Sequence, residues 1–167
     1  MEVTFRRLTP ADTAAYRVLR LEGLRLASRA FQSTLEEESA LTLDAYSARL
    51  ATADNATIGA FIDDTLVGIG TILRETRTRV RHRGEIVGMY VTASARGTGA
   101  AGGIMERLIA HARDQGLRWI GLELAADNAS ARRLYERFEF REYGHKPRAQ
   151  LHDGAWLDTI LMCLLLD

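Results

Sequence analysis

The sequence predicts a mixed α/β fold, one sheet with helices on both of its faces. Three observations predict it. Apolar or alternating runs of strand length recur along the chain, amphipathic stretches of helical period separate them, and together they come in the order βααβββαβαββ. With 167 residues, 47% of them hydrophobic, the chain can bury a sizeable core and reads as one domain over residues 1–167.

Val3, Phe5 and Leu8 mark a short first strand. Thr9-Pro10 starts a helix, because threonine caps and proline fits the first helical position. Tyr16, Leu19, Leu21, Leu24 and Leu26 continue it at roughly helical spacing. Ser28 to Ser39 reads as a loop around Phe31 that ends in Glu36-Glu37-Glu38. Leu43 to Ala51 is a second helix, with Leu43, Tyr46 and Leu50 on one face. Ala56 to Ile62, a turn at Asp63-Asp64, and Leu66 to Leu73 make a hairpin. Arg74 to Arg83 is a polar, basic loop, read as solvated. Strand four covers Ile86 to Val91, and the helix after the glycines carries Ile104, Leu108, Ile109 and Ala112 before stopping near Gly116. Leu117 to Leu124 is strand five and Asn128 to Phe138 a helix; Phe140 to Tyr143 and Trp156 to Leu165 are the last two strands.

Composition narrows the function. Twenty-two basic residues balance 22 acidic ones, and a surface built to coat nucleic acid would need a basic excess. The single cysteine, Cys163, cannot form an intrachain disulfide and suits a reducing compartment. No apolar run approaches the roughly 20 residues of a membrane helix, and Met1 to Thr9 lacks a signal-peptide stretch, so a cytoplasmic chain with no membrane partner is expected. His82, His111, His145 and His152 have no paired cysteine or histidine at helical spacing, which argues against a metal site. No Gly-x-Ser-x-Gly elbow is present. Lys146 is the only lysine, and no function follows from that alone.

The most informative segment is Arg96-Gly97-Thr98-Gly99-Ala100-Ala101-Gly102-Gly103, which follows a strand and opens a helix. Glycines permit positive φ and close backbone approach to a ligand. Free N–H groups in the first helical turn, with their partial positive charge, hold phosphate. A glycine-rich turn without a ligand is the plain alternative. Read literally, Gly97-x-Gly99-x-x-Gly102 with Glu123 ending the next strand is the dinucleotide pattern of a nicotinamide oxidoreductase. That pattern belongs to a first βαβ unit, whereas four strands precede this loop, and too few elements follow Glu123 for a doubly wound sheet.

Arg96-x-x-Gly99-x-Ala101 resembles the (Gln/Arg)-x-x-Gly-x-(Gly/Ala) loop of the GNAT N-acetyltransferase superfamily. Asn128-Ala129-Ser130-Ala131-Arg132-Arg133-Leu134-Tyr135 resembles that family's Asn-x-x-Ala-x-x-Leu-Tyr helix, and the strand order fits over essentially the whole chain. Two departures are visible. Phe138-Glu139-Phe140 replaces Leu-Gly-Phe, which leaves the following turn open to change, and Thr92 to Ala95 lacks a common proline.

The resemblance implies a mostly antiparallel sheet splayed between strands 4 and 5. It also implies an acetyl-CoA-dependent N-acetyltransferase that acts on a primary amine, of a small molecule or a protein, by direct attack. Arg96, Gly97, Thr98, Gly99, Ala100, Ala101 and Gly102 would hold the pyrophosphate, while backbone groups of Met89, Tyr90 and Val91 pair with the pantetheine arm. Gly88 marks a bulge that causes the splay. Asn128 resembles the residue that contacts the CoA arm, and is equally a helix N-cap. Tyr135 is the candidate acid for the leaving thiolate; its plain alternative is a core tyrosine. Glu85, placed just before strand four, is the candidate base, with solvent as the alternative. Phe31 and Ser33, with Glu85, are candidates for the acceptor pocket. The Glu36–Glu38 run could draw a cationic amine but reads more simply as a solvated helix start. A CoA-binding module without turnover is the alternative function. Homodimers are common in the family, and no interface is legible here.

Overall fold

The computed structural model describes residues 1–167. In chain order the elements are β1 (Thr4–Arg7), α1 (Thr13–Leu26), α2 (Leu35–Ser39), α3 (Leu43–Ala51), β2 (Asn55–Ile62), β3 (Thr65–Arg74), β4 (Arg83–Val91), α4 (Ala100–Asp114), β5 (Trp119–Ala125), α5 (Ala129–Arg137), β6 (Arg141–His152) and β7 (Ala155–Leu165). The strands form one seven-stranded sheet in the order β1-β2-β3-β4-β5-β7-β6. Every neighbouring pair is antiparallel except β4–β5. A doubly wound dinucleotide sheet would be parallel, so the literal glycine-pattern reading falls.

Two apolar cores form on opposite faces of this sheet. Ile104, Met105, Leu108 and Ala112 of α4 pack with Ile58, Ile72, Ile86, Ile120 and Met162 on one face. Tyr16, Leu19 and Leu24 of α1 and Tyr46 of α3 pack with Phe61, Ile69 and Tyr90 on the other. The second core covers only β2 to β4. Over β5, β7 and β6 the second core does not continue, and Glu123, Thr159 and Lys146 form a hydrogen-bonded cluster there.

The sheet opens at its centre. β4 and β5 pair only at Arg83↔Trp119, Gly84↔Ile120 and Glu85↔Gly121. Beyond Glu85 both strands continue but part, as expected for the splay. A bulge sits at the same place: Ile69 faces Tyr90 and Thr71 faces Val87, so Gly88 and Met89 together oppose Gly70. Gly88 has φ 64, which glycine adopts without strain. Gly70 gives way to Met89, because a Cβ there would overlap the methionine sulfur.

Four expectations need correction. The Ser28–Ser39 segment is not all loop: it contains α2, whose N-cap Thr34 and Glu37 form a reciprocal capping box. α4 starts at Ala100, so Ala100, Ala101 and Gly102 are its first turn. β4 starts at Arg83, which puts Glu85 inside the strand rather than before it. β6 runs to His152 instead of ending at Tyr143, with a bulge between Lys146 and Gln150 that admits Pro147 on the sheet edge. The turn after α5 keeps a left-handed residue although glycine is missing: Glu139 takes φ 68.

Candidate active site

The parting of β4 and β5 creates a cavity of about 490 Å3. Its wall includes Phe31, Ser33, Glu85, Met89, Asn128 and Tyr135, which the topology brings together from three separate parts of the chain: the loop before α2, β4, and the start and body of α5. A neighbouring cavity of about 690 Å3 shares Phe31, Ser33 and Glu123 with the first and adds Lys146 and His152.

Glu85 is the last β4 residue paired with β5, and its carboxylate points to the side where the strands separate. Gly121 opposite makes room: a Cβ there would overlap the Trp119 ring and come within 2.9 Å of the Glu85 carboxylate. Burial pushes the Glu85 carboxyl above its ordinary value of 4.5; Arg83, 3.9 Å away, opposes this, and the Glu123 charge adds to it. A carboxylate held this way takes up a proton more readily than a solvated one.

Tyr135 is 7% exposed, lines the same cavity and donates no hydrogen bond within the chain. Burial pushes its phenol up to about 12, so it stays protonated at neutral pH and has a proton to donate. Asn128 is the α5 cap, its Oδ1 accepting from Ala131 N–H at 3.1 Å, and it also borders the cavity.

The glycine loop lies at the start of α4, outside this cavity wall. Gly97 and Gly99 have φ 79 and 89, and a Cβ on either would meet open space. The N–H groups of Gly97, Gly99, Ala100, Ala101 and Gly102 donate to no backbone carbonyl, and Arg96 is exposed beside them. Such a nest at a helix N-terminus can hold an anion. Gly103 serves packing instead, since a Cβ there would strike the Phe5 ring.

The other candidates separate. Tyr90 is buried in the second core, where its hydroxyl donates to Glu22 at 2.9 Å. Val91 pairs with Gly68 and packs against the first core. Phe31 belongs to both worlds: it is 4% exposed, under the Arg20 guanidinium, and still borders the cavity. The acidic run divides. Glu37 caps α2, whereas Glu38 is 2% exposed, accepts from Arg20, Arg49 and Tyr46, and is not available to an amine.

Of two further residues beside the cavity, Arg20 escaped the sequence reading, and Glu123 was singled out there only for the dinucleotide pattern. Glu123 faces the cavity from β5, accepting from the Thr159 hydroxyl at 2.6 Å and from Lys146 at 2.9 Å. Arg20 closes another side, its guanidinium 2.8 Å from where a Gly88 Cβ would stand. No group of three or more His, Cys, Asp or Glu side chains is placed to hold a metal ion, and no helix is long and apolar enough to cross a membrane.

The acetyltransferase (GNAT) family profile matches residues 21–140, and the chain belongs to that family. Two curated relatives, the L-methionine sulfoximine/L-methionine sulfone acetyltransferases of Pseudomonas paraeruginosa and Pseudomonas aeruginosa, are each 34% identical over 79 residues. The match covers 47% of this chain and 46% of each relative, so the chain spans about half the length of the curated relatives it matches. A GNAT-family acetyltransferase structure from Streptococcus pneumoniae superimposes with TM-score 0.89 at 24% identity, over 99% of this chain and 100% of that one. A phosphinothricin acetyltransferase from Sinorhizobium meliloti, in complex with AcCoA, gives 0.86 at 21% identity, over 99% and 89%. At these identities the structures establish the shared fold.

Proposed function

We propose that this chain moves an acetyl group from acetyl-CoA to the primary amine of a small molecule, by direct attack of the amine on the thioester. One observation carries the reading: a cavity in the β4–β5 opening that joins a carboxyl raised by burial, Glu85, to a protonated buried phenol, Tyr135.

Arg96 and the N–H groups from Gly97 to Gly102 would hold the pyrophosphate of acetyl-CoA. The unpaired edge of β4 at Met89, Tyr90 and Val91 would take the pantetheine arm as an added strand, with Asn128 on its other side. A backbone N–H near Met89 would stabilise the developing oxyanion. An amine enters as an ammonium and cannot attack until it loses a proton. Glu85 is the base that takes it, directly or through water, and Glu123 supplies a second negative charge facing the same amine. Tyr135 gives its proton to the departing thiolate. The curated relatives' substrates, L-methionine sulfoximine and sulfone, bring an amino-acid-sized acceptor into the reading. The single, half-buried Cys163 and the zero net charge fit a cytoplasmic setting without nucleic acid.

The test pairs thermal shift with thiol release. Acetyl-CoA or CoA at about 100 times its dissociation constant should raise Tm by about 5–10 °C, and NADH should not. An amine panel that includes amino-acid sulfoximines should release CoA thiol. Cofactor binding with no thiol release from any amine would make the chain a non-catalytic CoA module. A shift with NADH alone would overturn the proposal.

A further inference from the structure

Apart from the Met1 α-amine, Lys146 carries the only primary amine of the polypeptide, since every other basic side chain is arginine or histidine. It sits on β6, two strands from the opening. Its register partner is Thr159 on β7, and its side chain crosses that strand to reach Glu123 on β5, with Nζ 2.9 Å from Oε2. Glu123 borders both cavities, and Lys146 lines the outer one with its side chain 47% exposed. A carboxylate facing the reaction cavity therefore already binds a primary ammonium, the group an acceptor must present, and it comes from the chain itself.

We propose that Lys146 is a self-acetylation site, with acetyl-CoA as the donor. This rests on the acetyltransferase reading above. The lysine stem has four rotatable bonds, so Nζ can leave Glu123 and turn into the inner cavity. Glu85 or Glu123 takes one ammonium proton, and the neutral nitrogen attacks the thioester carbonyl. The N–C bond forms, the C–S bond breaks, the second proton leaves to solvent, and Tyr135 protonates the thiolate. The products are Nε-acetyl-lysine, CoA thiol and one proton, with no change of oxidation state. Acetylation removes the ammonium that faces Glu123 and puts a neutral amide in the outer cavity.

The experiment is intact-mass and peptide mass spectrometry of the purified chain incubated with acetyl-CoA and no acceptor. The expected result is one added acetyl group, mapped to Lys146 and absent in Lys146→Arg. Labelling of the folded chain should exceed that of the urea-unfolded chain by at least about tenfold, because proximity acts only in the folded site. No mass gain, a gain that persists in Lys146→Arg, or equal labelling of folded and unfolded chains overturns the proposal. Thiol release with small amines by the same preparation separates the two readings. Turnover without Lys146 labelling removes only this inference, and absence of both removes the acetyltransferase reading as well.

Discussion

Glu38 and Glu85 are both carboxylates inside the fold, Glu38 fully buried beneath α1 and α3 and Glu85 with its side chain 40% exposed in the β4–β5 opening. Burial works on each in the same direction, toward the protonated form. The outcomes are opposite. Glu38 accepts from Arg20, Arg49 and the Tyr46 hydroxyl, and these donors overcome burial and bring its pKa down to about 2. Glu85 accepts no hydrogen bond; Arg83, at 3.9 Å, and the more weakly acting Lys146 oppose burial, the Glu123 and Glu75 charges add to it, and its pKa stays raised. The number of donors around a carboxylate, more than its burial, separates a permanent structural anion from a group that can exchange protons.

The strongest way to break this comparison is through stability. Glu38→Ala leaves Arg20 and Arg49 facing each other without their anion and should cost about 3 kcal/mol at pH 7 by urea denaturation. Glu38 is bound more tightly as an anion in the folded chain than in the unfolded one. Its contribution is complete above 4.5 and is lost as pH falls toward about 2. Glu85 has the opposite sign: it favours folding below 4.5, and that contribution is lost as pH rises through its raised folded value. Glu85→Gln should therefore lower kcat/KM by about 100-fold while leaving stability at pH 7 equal or higher. If it destabilises as Glu38→Ala does, the two carboxylates play the same structural part.

Smaller effects sharpen the contrast. Tyr46 and Tyr135 are both buried phenols pushed up to about 12, but only Tyr46 has a hydrogen-bond partner. Tyr135→Phe should lower kcat about tenfold with Tm unchanged, because solvent can still protonate a thiolate and no internal bond is lost. Arg83→Met removes the stronger of the two cations that hold Glu85 down, the other being Lys146. The acid limb of the pH–rate profile should then move to higher pH, a modest step because Arg83 is partly exposed.

Much of the fold was legible along the chain. Helical spacing located α1, α3, α4 and α5, and the hairpin turn at Asp63-Asp64 is confirmed by two left-handed residues, φ 47 and 62. β6 was cut short because it is an exposed edge strand: without a buried face it has no apolar alternation, and Pro147 reads as a break. α2 escaped although Thr34-Leu35-Glu36-Glu37 spells a capping box, a signal strong enough to have found it.

The sequence by itself determined the order of the strands and of every helix but α2, and the glycine-rich turn that opens α4, because φ preference, capping and hydrophobic period act between near neighbours in the chain. The family resemblance also nominated Glu85 as base, Tyr135 as acid and Asn128 as a contact of the CoA arm, and all three border the cavity. Only the tertiary structure decided which carboxylates are structural and which face the opening, and that Lys146 and Thr159 reach Glu123 across neighbouring strands. Those outcomes depend on desolvation and on donors that arrive from distant segments, and both exist only once the sheet has closed on one side and parted between β4 and β5.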